Sequence, residues 1–272
     1  MPASRRRWWA FAAPLPPLSA RLAVPVIAHC IALAREHGHL PAAARYPPIS
    51  LAGIHAPEYA RFAAGFAVLA ALLAFCEELR ARALAPLLAR ALARAGAVDA
   101  VAGPLAAARW AARAACLGLL LTGLVPLQLP PGDPRGELAT AVHSLASAAF
   151  FLGSQWHAVS TLRALAAPAA RPLPVSLAAA PALFALRAAA ALSSVLSFVP
   201  AQLLHPGGTR ASPHPGGPEL AQLDTAGFAQ WWAVGSLLAY YGLFGADFVL
   251  LSTDELGDDC NGDSDSAERK AQ

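Results

Sequence analysis

The sequence predicts an all-α, polytopic membrane protein with six transmembrane helices and both termini in the cytosol. Of its 272 residues, 57% are apolar and only 14% are charged, whereas a soluble domain carries about 25% charged residues. Its apolar stretches also approach the roughly 20 residues that a helix needs to cross a bilayer. A soluble helical protein of this composition would lack the polar surface needed to cover itself.

Six apolar stretches define the membrane domain, which covers residues 1–251. In chain order, the predicted spans are residues 8–34, 60–79, 111–129, 138–162, 181–204 and 228–251. Residues 252–272 are rich in Asp and Glu, and we expect them to form a solvated, disordered cytosolic tail.

The basic residues predict the orientation of these spans. With six spans, fourteen Lys and Arg residues fall on the side of the two termini and five fall on the opposite side. Because cytoplasmic loops carry the excess of Lys and Arg, both termini are predicted to be cytosolic.

Two arginines fall within the predicted spans. An arginine at the bilayer centre costs about 2.5–3.5 kcal/mol on insertion scales, and much less near a helix end. We therefore expect Arg187 near an interface. For Arg21, either the first span begins late or the side chain faces a partner inside the bundle.

The N-terminus allows a second interpretation. Basic residues at 5–7 precede an apolar run, as they do in a cleaved targeting signal. Prolines at 14, 16 and 17 interrupt that run, which favours a retained first helix.

The loop between the first two spans contains an unusual turn-rich segment, Tyr46-Pro47-Pro48-Ile49-Ser50-Leu51-Ala52-Gly53-Ile54-His55-Ala56-Pro57-Glu58. Its prolines restrict the backbone, and its glycine can adopt conformations that other residues avoid. Pro57 and Glu58 suit the start of the second helix, with a carboxylate at the positive helix end. We expect a rigid cap on the bundle; the alternative is a loop that contacts a ligand.

Polar residues recur at helical spacing in the fourth span: His143, Ser147, Ser154, His157 and Thr161. Such a stripe must turn inward in lipid. Histidines within a membrane are candidates for a proton path or a ligand contact. The alternative is hydrogen bonding between helices, at about 0.6 kcal/mol per bond.

The last span combines small residues with one carboxylate. Gly235, Ala239, Gly242 and Ala246 share one face, which predicts close approach of another helix. We expect Asp247, near the cytosolic end, to pair with a loop arginine.

The predicted cytosolic loop at residues 80–113 carries two arginine pairs four residues apart, Arg90/Arg94 and Arg109/Arg113. A basic amphipathic helix of this kind binds anionic lipid. The alternative is that these charges only set the topology.

Known catalytic signatures are absent from the sequence, including the nucleophile elbow, the phosphate-binding loop and the HExxH zinc helix. Cys30, Cys76 and Cys116 fall in different predicted spans, so spacing predicts no metal site. We expect no cofactor, no metal ion and no nucleic-acid partner, and a function other than catalysis.

Several of these segments together resemble the damage-regulated autophagy modulator (DRAM) family of six-span membrane proteins. The resemblance lies in His37 and His39 before Pro47-Pro48-Ile49-Ser50, Gly53 and Pro57-Glu58, and downstream in Leu117-Gly118-Leu119, Gln128, His143, Phe150-Phe151, Gln230-Trp231 and Asp247-Phe248. Leu51 stands where the family usually has Asp, and Gln230 stands where it has Glu. The wider group includes proteins that remodel the lipid of GPI anchors.

The resemblance implies a non-enzymatic regulator of autophagy in lysosomal or other endomembranes, with the Golgi, ER and plasma membrane as alternatives. Together, the resemblance and the polar stripe of the fourth span predict functional or structural roles for Pro48, Ile49, Ser50, Gly53, Pro57, Glu58, His143, Ser147, His157, Gln230, Trp231 and Asp247. Two other functions stay open. One is lipid handling related to GPI-anchor remodelling, and the other is proton-coupled transport, since five of the eight histidines lie in predicted lumenal loops.

Overall fold

In a computed structural model, the structure describes residues 12–95, 98–127, 134–166, 181–203 and 218–249, and all regular structure in these ranges is helical. The helices are α1 (Leu15–Glu36), α2 (Glu58–Ala95), α3 (Val98–Leu124), α4 (Pro134–Ala166), α5 (Pro181–Leu203) and α6 (Pro218–Gly242), with a 3-10 turn at Ile49–Gly53. Beyond α6 the helical path continues to Val249. The predicted acidic tail lies outside the described residues.

Within the described ranges, five helical segments are long and apolar enough to cross a membrane, which indicates an integral membrane protein. They are Leu15–Glu36, Glu58–Arg82, Ala102–Leu124, Pro181–Ala201 and Leu220–Val249. The segment predicted as the fourth span is helical throughout, as part of the 33-residue α4. Its polar residues give α4 a lower hydropathy than the other five segments, so length and composition alone establish five candidate spans.

The helices pack as a bundle closed by α1. The most extensive pairs are α3 with α4 and α5 with α6, while α1 contacts both α2 and α6. Large apolar side chains fill the centre, among them Phe66, Phe150 and Leu237. Residues 37–57 cover one end of the bundle, which we call the loop end.

The predicted cytosolic loop at 80–113 is instead mostly helical. Helix α2 continues to Ala95, and α3 begins at Val98. At 1.5 Å per residue, the 38 residues of α2 extend about 57 Å, well beyond the ~30 Å hydrocarbon core. The helix expected within this segment is therefore present as extensions of α2 and α3. The side chains of Arg90 and Arg94 lie outside the described residues.

Arg21 and Arg187 have opposite environments. Arg21 is exposed on the outer surface of α1, which excludes one of its two alternatives, that it faces a partner inside the bundle. Arg187 is buried, with 1% of its surface accessible. It does not need to reach an interface, because a carboxylate compensates its charge within the bundle.

Gly242 of the predicted small-residue face lies against α1, where a Cβ atom would be 3.9 Å from that of Ala20, but the closest approaches occur at Gly227 and, just beyond α6, at Gly245. A Cβ atom on Gly227 would lie 1.7 Å from the carbonyl oxygen of Tyr46, and one on Gly245 would lie 2.6 Å from that of Ala13. A Cβ on Gly235 would meet nothing within 4 Å. Positions 227 and 245 therefore accept no side chain larger than that of glycine, whereas Gly235 faces open space.

Candidate functional site: the first loop and a buried ion network

Hydrogen bonds attach the first loop to α6. The backbone N–H of Ile49 donates to Oε1 of Gln230 (2.7 Å), and the indole N–H of Trp231 donates to the carbonyl oxygen of Pro47 (3.1 Å). Ile49 and Gln230 are 181 residues apart in sequence. The turn-rich first loop and the Gln230–Trp231 segment of α6 therefore form one contact.

A third bond continues this attachment about two turns towards the start of α6. The backbone N–H of Tyr46 donates to Oδ1 of Asp224 (3.0 Å), and Gly227 lies directly beneath the Tyr46 carbonyl. Asp224, Gly227 and Trp231 share one helix face, since they are three and four residues apart. This face holds the loop at backbone distance, which only glycine at position 227 permits.

The segment Ile49–Gly53 is buried rather than exposed. It forms the 3-10 turn, which follows Pro48 in an extended conformation (φ −54°, ψ 136°). Leu51 lies in the apolar core. An aspartate at this position would bury a charge without a partner at considerable cost, so Leu51 suits the packing seen here.

Glu58 is the first residue of α2 and is fully buried. Its Oε1 contacts Nδ1 of His39, and the His39 ring lies 4.5 Å from that of His55. Its Oε2 has no hydrogen-bond partner among the described residues. Pro57 immediately precedes the helix and follows a cis peptide bond. The carboxylate thus faces both the positive end of α2 and an imidazole.

The polar stripe on α4 turns into the bundle, as predicted. His143 is buried, and its Nδ1–H donates to the carbonyl oxygen of Val125 at the end of α3 (2.7 Å). The Ser147 hydroxyl lies 3.3 Å from that of Thr122. This half of the stripe connects α4 to α3 through hydrogen bonds at the loop end.

The other half of the stripe enters a buried ion network. His157 Nε2 lies 3.0 Å from Nη2 of Arg80 and 3.2 Å from Oε1 of Glu77, and its Nδ1 lies 3.0 Å from the Tyr240 hydroxyl. Arg80 also donates to both carboxylate oxygens of Glu77, from Nε (3.1 Å) and from Nη2 (3.3 Å). Three helices, α2, α4 and α6, therefore meet at His157.

A second ion pair extends the network to α5. Arg187 donates through Nη2 to Oδ1 of Asp247, and Oδ2 of the same carboxylate lies 3.9 Å from Nη1 of Arg80. The Arg80 guanidinium also lies over the Phe244 ring, 4.5 Å from its centroid. We define the ion network as Glu77, Arg80, His157, Arg187, Tyr240 and Asp247.

The charges of the ion network balance. Two guanidinium groups face two carboxylates, and each of these residues is at least nine-tenths buried. A buried charge is stable only when it is paired and hydrogen-bonded. His157 is satisfied in either tautomer, because Nε2 can accept from Arg80 while Nδ1–H donates to Tyr240, or Nε2–H can donate to Glu77 while Nδ1 accepts. The network holds four helices together, and its His157 can adopt either tautomer without losing its hydrogen bonds.

A surface ion cluster lies beside this network. Glu78 accepts hydrogen bonds from Arg109 of α3 (2.8 and 2.9 Å) and from Arg82 of α2 (3.0 Å). Arg113 lies 4.0 Å from the same carboxylate. Arg109 and Arg113 share a face, as predicted, but a protein carboxylate occupies that face. The exposed ion pairs contribute at most about 1 kcal/mol each.

A groove of about 690 Å³ opens on the side of the bundle at the loop end. We call it the lateral groove. It is lined by Ala28, Ile31, Ala32 and Arg35 of α1, by Arg45, Tyr46 and Pro47 of the loop, and by Phe228, Trp231, Trp232, Gly235, Ser236 and Ala239 of α6. Apart from the two arginines, its walls are mainly apolar and aromatic.

A separate interior cavity lies under the first loop. Its volume is about 60 Å³, and Ile49, Ser50, Ser147 and Gln230 are among its lining residues. It has room for about two water molecules, since each occupies about 30 Å³ in the liquid. Ser50 thus faces a small cavity rather than a site large enough for a lipid headgroup.

Neither a cluster of metal ligands nor a similar known protein helps to identify this site. In the part of the chain that the structure describes, no group of three His, Cys, Asp or Glu side chains is placed to hold a metal ion. No protein-family model, curated protein or solved structure matches the chain. The site is defined by its contacts alone.

Sequence analysis missed several members of the ion network. Glu77 and Arg80 were assigned to the end of the second span and to a loop, and Tyr240 was not singled out. The signal was present, because an ionisable pair three residues apart at the end of an apolar run indicates an intramembrane site. The pairing partner of Asp247, Arg187, lies in a helix rather than in a loop.

Proposed function

We propose that the chain is a six-span endomembrane protein, similar to the DRAM family, that regulates autophagy or lysosomal membrane function without being an enzyme. The observation that supports this most is the contact between Pro47–Ile49 and Gln230–Trp231. Matches that occur by chance have no reason to meet in space. The contact of two such segments across 181 residues supports the proposal.

The surface of α4 supports a sixth span. Its exposed residues include Leu145, Leu152, Trp156 and Val159, whereas its histidines point inward. An apolar outer face with an inward polar stripe is what a membrane environment requires of a spanning helix. Six spans place both termini on one side, and the excess of basic residues favours the cytosol.

Autophagic flux tests the proposed function. Cells lacking the protein are compared, with and without a lysosomal inhibitor, for turnover of an autophagosome marker, and the wild-type chain is then restored. Gln230→Leu removes the acceptor for the Ile49 N–H, so we expect it to restore flux less well. Trp110→Phe, at an exposed position on α3, is the matched control. Unchanged flux in cells lacking the protein would contradict the proposal.

A second candidate function, lipid handling related to GPI-anchor remodelling, is favoured by the lateral groove, which is far larger than the interior cavity. The same cells distinguish the two functions. Altered anchor lipid composition and altered surface display of GPI-anchored proteins, with normal autophagic flux, would support lipid handling. Normal anchors with altered flux would support regulation of autophagy.

A further inference from the structure

The lateral groove has the length of one lipid leaflet. Along α6, its lining extends from Phe228 to Ala239, a rise of about 16 Å at 1.5 Å per residue. One leaflet of a hydrocarbon core about 30 Å thick measures about 15 Å. An acyl chain that starts at the loop end can therefore lie along the whole groove.

Aromatic residues place the mouth of the groove at the membrane interface. Tyr46, Phe228 and Trp232 are partly exposed at the loop end, and Tyr and Trp are concentrated at the headgroup level of membrane proteins. The Trp232 indole N–H donates to the Ser193 hydroxyl (2.7 Å). Because the indole N–H is hydrogen-bonded within the protein, the Trp232 ring presents only an apolar surface to the groove.

Two arginines stand at this mouth, and neither forms an ion pair with a carboxylate among the described residues. Arg35 donates from Nη2 to the carbonyl oxygen of Ala44 (2.6 Å), and no described residue forms an ion pair with Arg45. The described residues that line the groove include no acidic one. A guanidinium group presents several donors to a phosphate in a fixed geometry. The unbalanced charge is therefore complementary to an anionic headgroup.

Gly235 makes the groove deep enough for a chain. A Cβ atom at this position would meet nothing within 4 Å, so the missing side chain leaves space inside the groove. Ala28, Ala32 and Ala239 are also small. The floor is thus built from small residues, while the rim is built from aromatic and basic ones.

We propose that the lateral groove binds one anionic phospholipid, with its phosphate at Arg35 and Arg45 and an acyl chain along Gly235 and Ala239. Membrane insertion is the only premise that this site shares with the proposed function. The site is a property of the bundle whichever cellular process the protein serves. A test on purified protein therefore fails or succeeds independently of the flux assay.

Native mass spectrometry of the full-length chain in detergent tests the proposal. The protein is titrated separately with palmitoyl-oleoyl phosphatidic acid, phosphatidylglycerol and phosphatidylcholine. We expect one bound anionic lipid, and a preference over phosphatidylcholine that falls about fivefold with Arg35→Gln and again with Arg45→Gln. Fivefold corresponds to about 1 kcal/mol for each basic residue near an anionic lipid. Arg61→Gln, at the loop end but outside the groove, is the control.

A filling variant tests the chain-binding part of the groove. Gly235→Leu should reduce binding of all three lipids, whereas Ala114→Leu, in the groove of similar volume between α3 and α4, should leave the anionic preference unchanged. Thermal unfolding checks that both variants fold. If Gly235→Leu does not fold, the arginine variants still decide the proposal.

Three results would overturn it. The first is equal binding of the three lipids by the wild type. The second is an anionic preference that persists when both arginines are replaced. The third is a lipid-independent dimer that Gly235→Leu dissociates, which would make the groove an interface between two copies of the chain.

Discussion

Arg187 of α5 binds Asp247 beyond α6 in the interior of the bundle, and each side chain is 1% exposed. The pair joins two helices whose interacting residues are 60 positions apart. Because neither group reaches water, each depends on the other for its charge to be stable there.

Removal of one partner should be far more harmful than removal of both. We expect Asp247→Ala to lower the free energy of unfolding by about 3–5 kcal/mol, since it leaves Arg187 buried without a counter-charge. The double variant Arg187→Met/Asp247→Leu should recover most of this loss. Thermal unfolding in detergent measures both. Glu78→Gln, which breaks the exposed cluster, should change stability by about 1 kcal/mol or less. If the losses caused by Arg187→Met alone and Asp247→Leu alone add up to the loss in the double variant, the pairing is contradicted.

The bond between the first loop and α6 predicts different effects for two substitutions at Gln230. Gln230→Leu removes the acceptor of the Ile49 N–H, which should cost about 1–3 kcal/mol locally. Gln230→Glu keeps an acceptor for the Ile49 N–H, so this amide should remain largely protected against hydrogen exchange. Hydrogen exchange of the peptide that contains Ile49 measures the difference. If both variants exchange at the wild-type rate, the bond does not hold the loop.

Two glycines of α6 should respond oppositely to alanine. A Cβ at Gly227 would overlap the Tyr46 carbonyl, so Gly227→Ala should displace the loop and destabilise the protein. Gly235→Ala places its methyl group in open space and should stabilise α6 by up to about 1 kcal/mol, because alanine favours the helix. Unfolding midpoints of the two variants provide the comparison. A destabilising Gly235→Ala would show that this position is packed.

Sided cysteine labelling tests the topology. Ala43, at the loop end, and Arg82, on the opposite half of the bundle, are both exposed. In sealed vesicles, an impermeant thiol reagent added to the cytosolic side should label Arg82→Cys and not Ala43→Cys. Detergent should make both accessible. Both variants are made in a chain whose four native cysteines are replaced by serine, because Cys260 lies in the predicted cytosolic tail and would itself be labelled. Labelling of both variants from one side would contradict the predicted orientation.

Much of the fold could be predicted because its signals are local. Apolar length predicts helices in a membrane, and the spacing of His143, Ser154 and His157 predicts an inward face, which their burial confirms. The ends of α2 and α3 could not be predicted in this way. Their connection lies where apolar and basic residues alternate, and such a pattern does not distinguish a loop or surface helix from two long helices.

The candidate site depends much more on tertiary structure. The sequence by itself determined the helical class, the turn-rich first loop and the polar side of α4, because proline, glycine and helical periodicity act over a few residues. Only the tertiary structure decided that Gln230 holds Ile49, that Arg187 pairs with Asp247, and that Gly235 opens a groove. These relationships depend on which helices are neighbours and on how closely their backbones approach. Local sequence patterns contain no information about either.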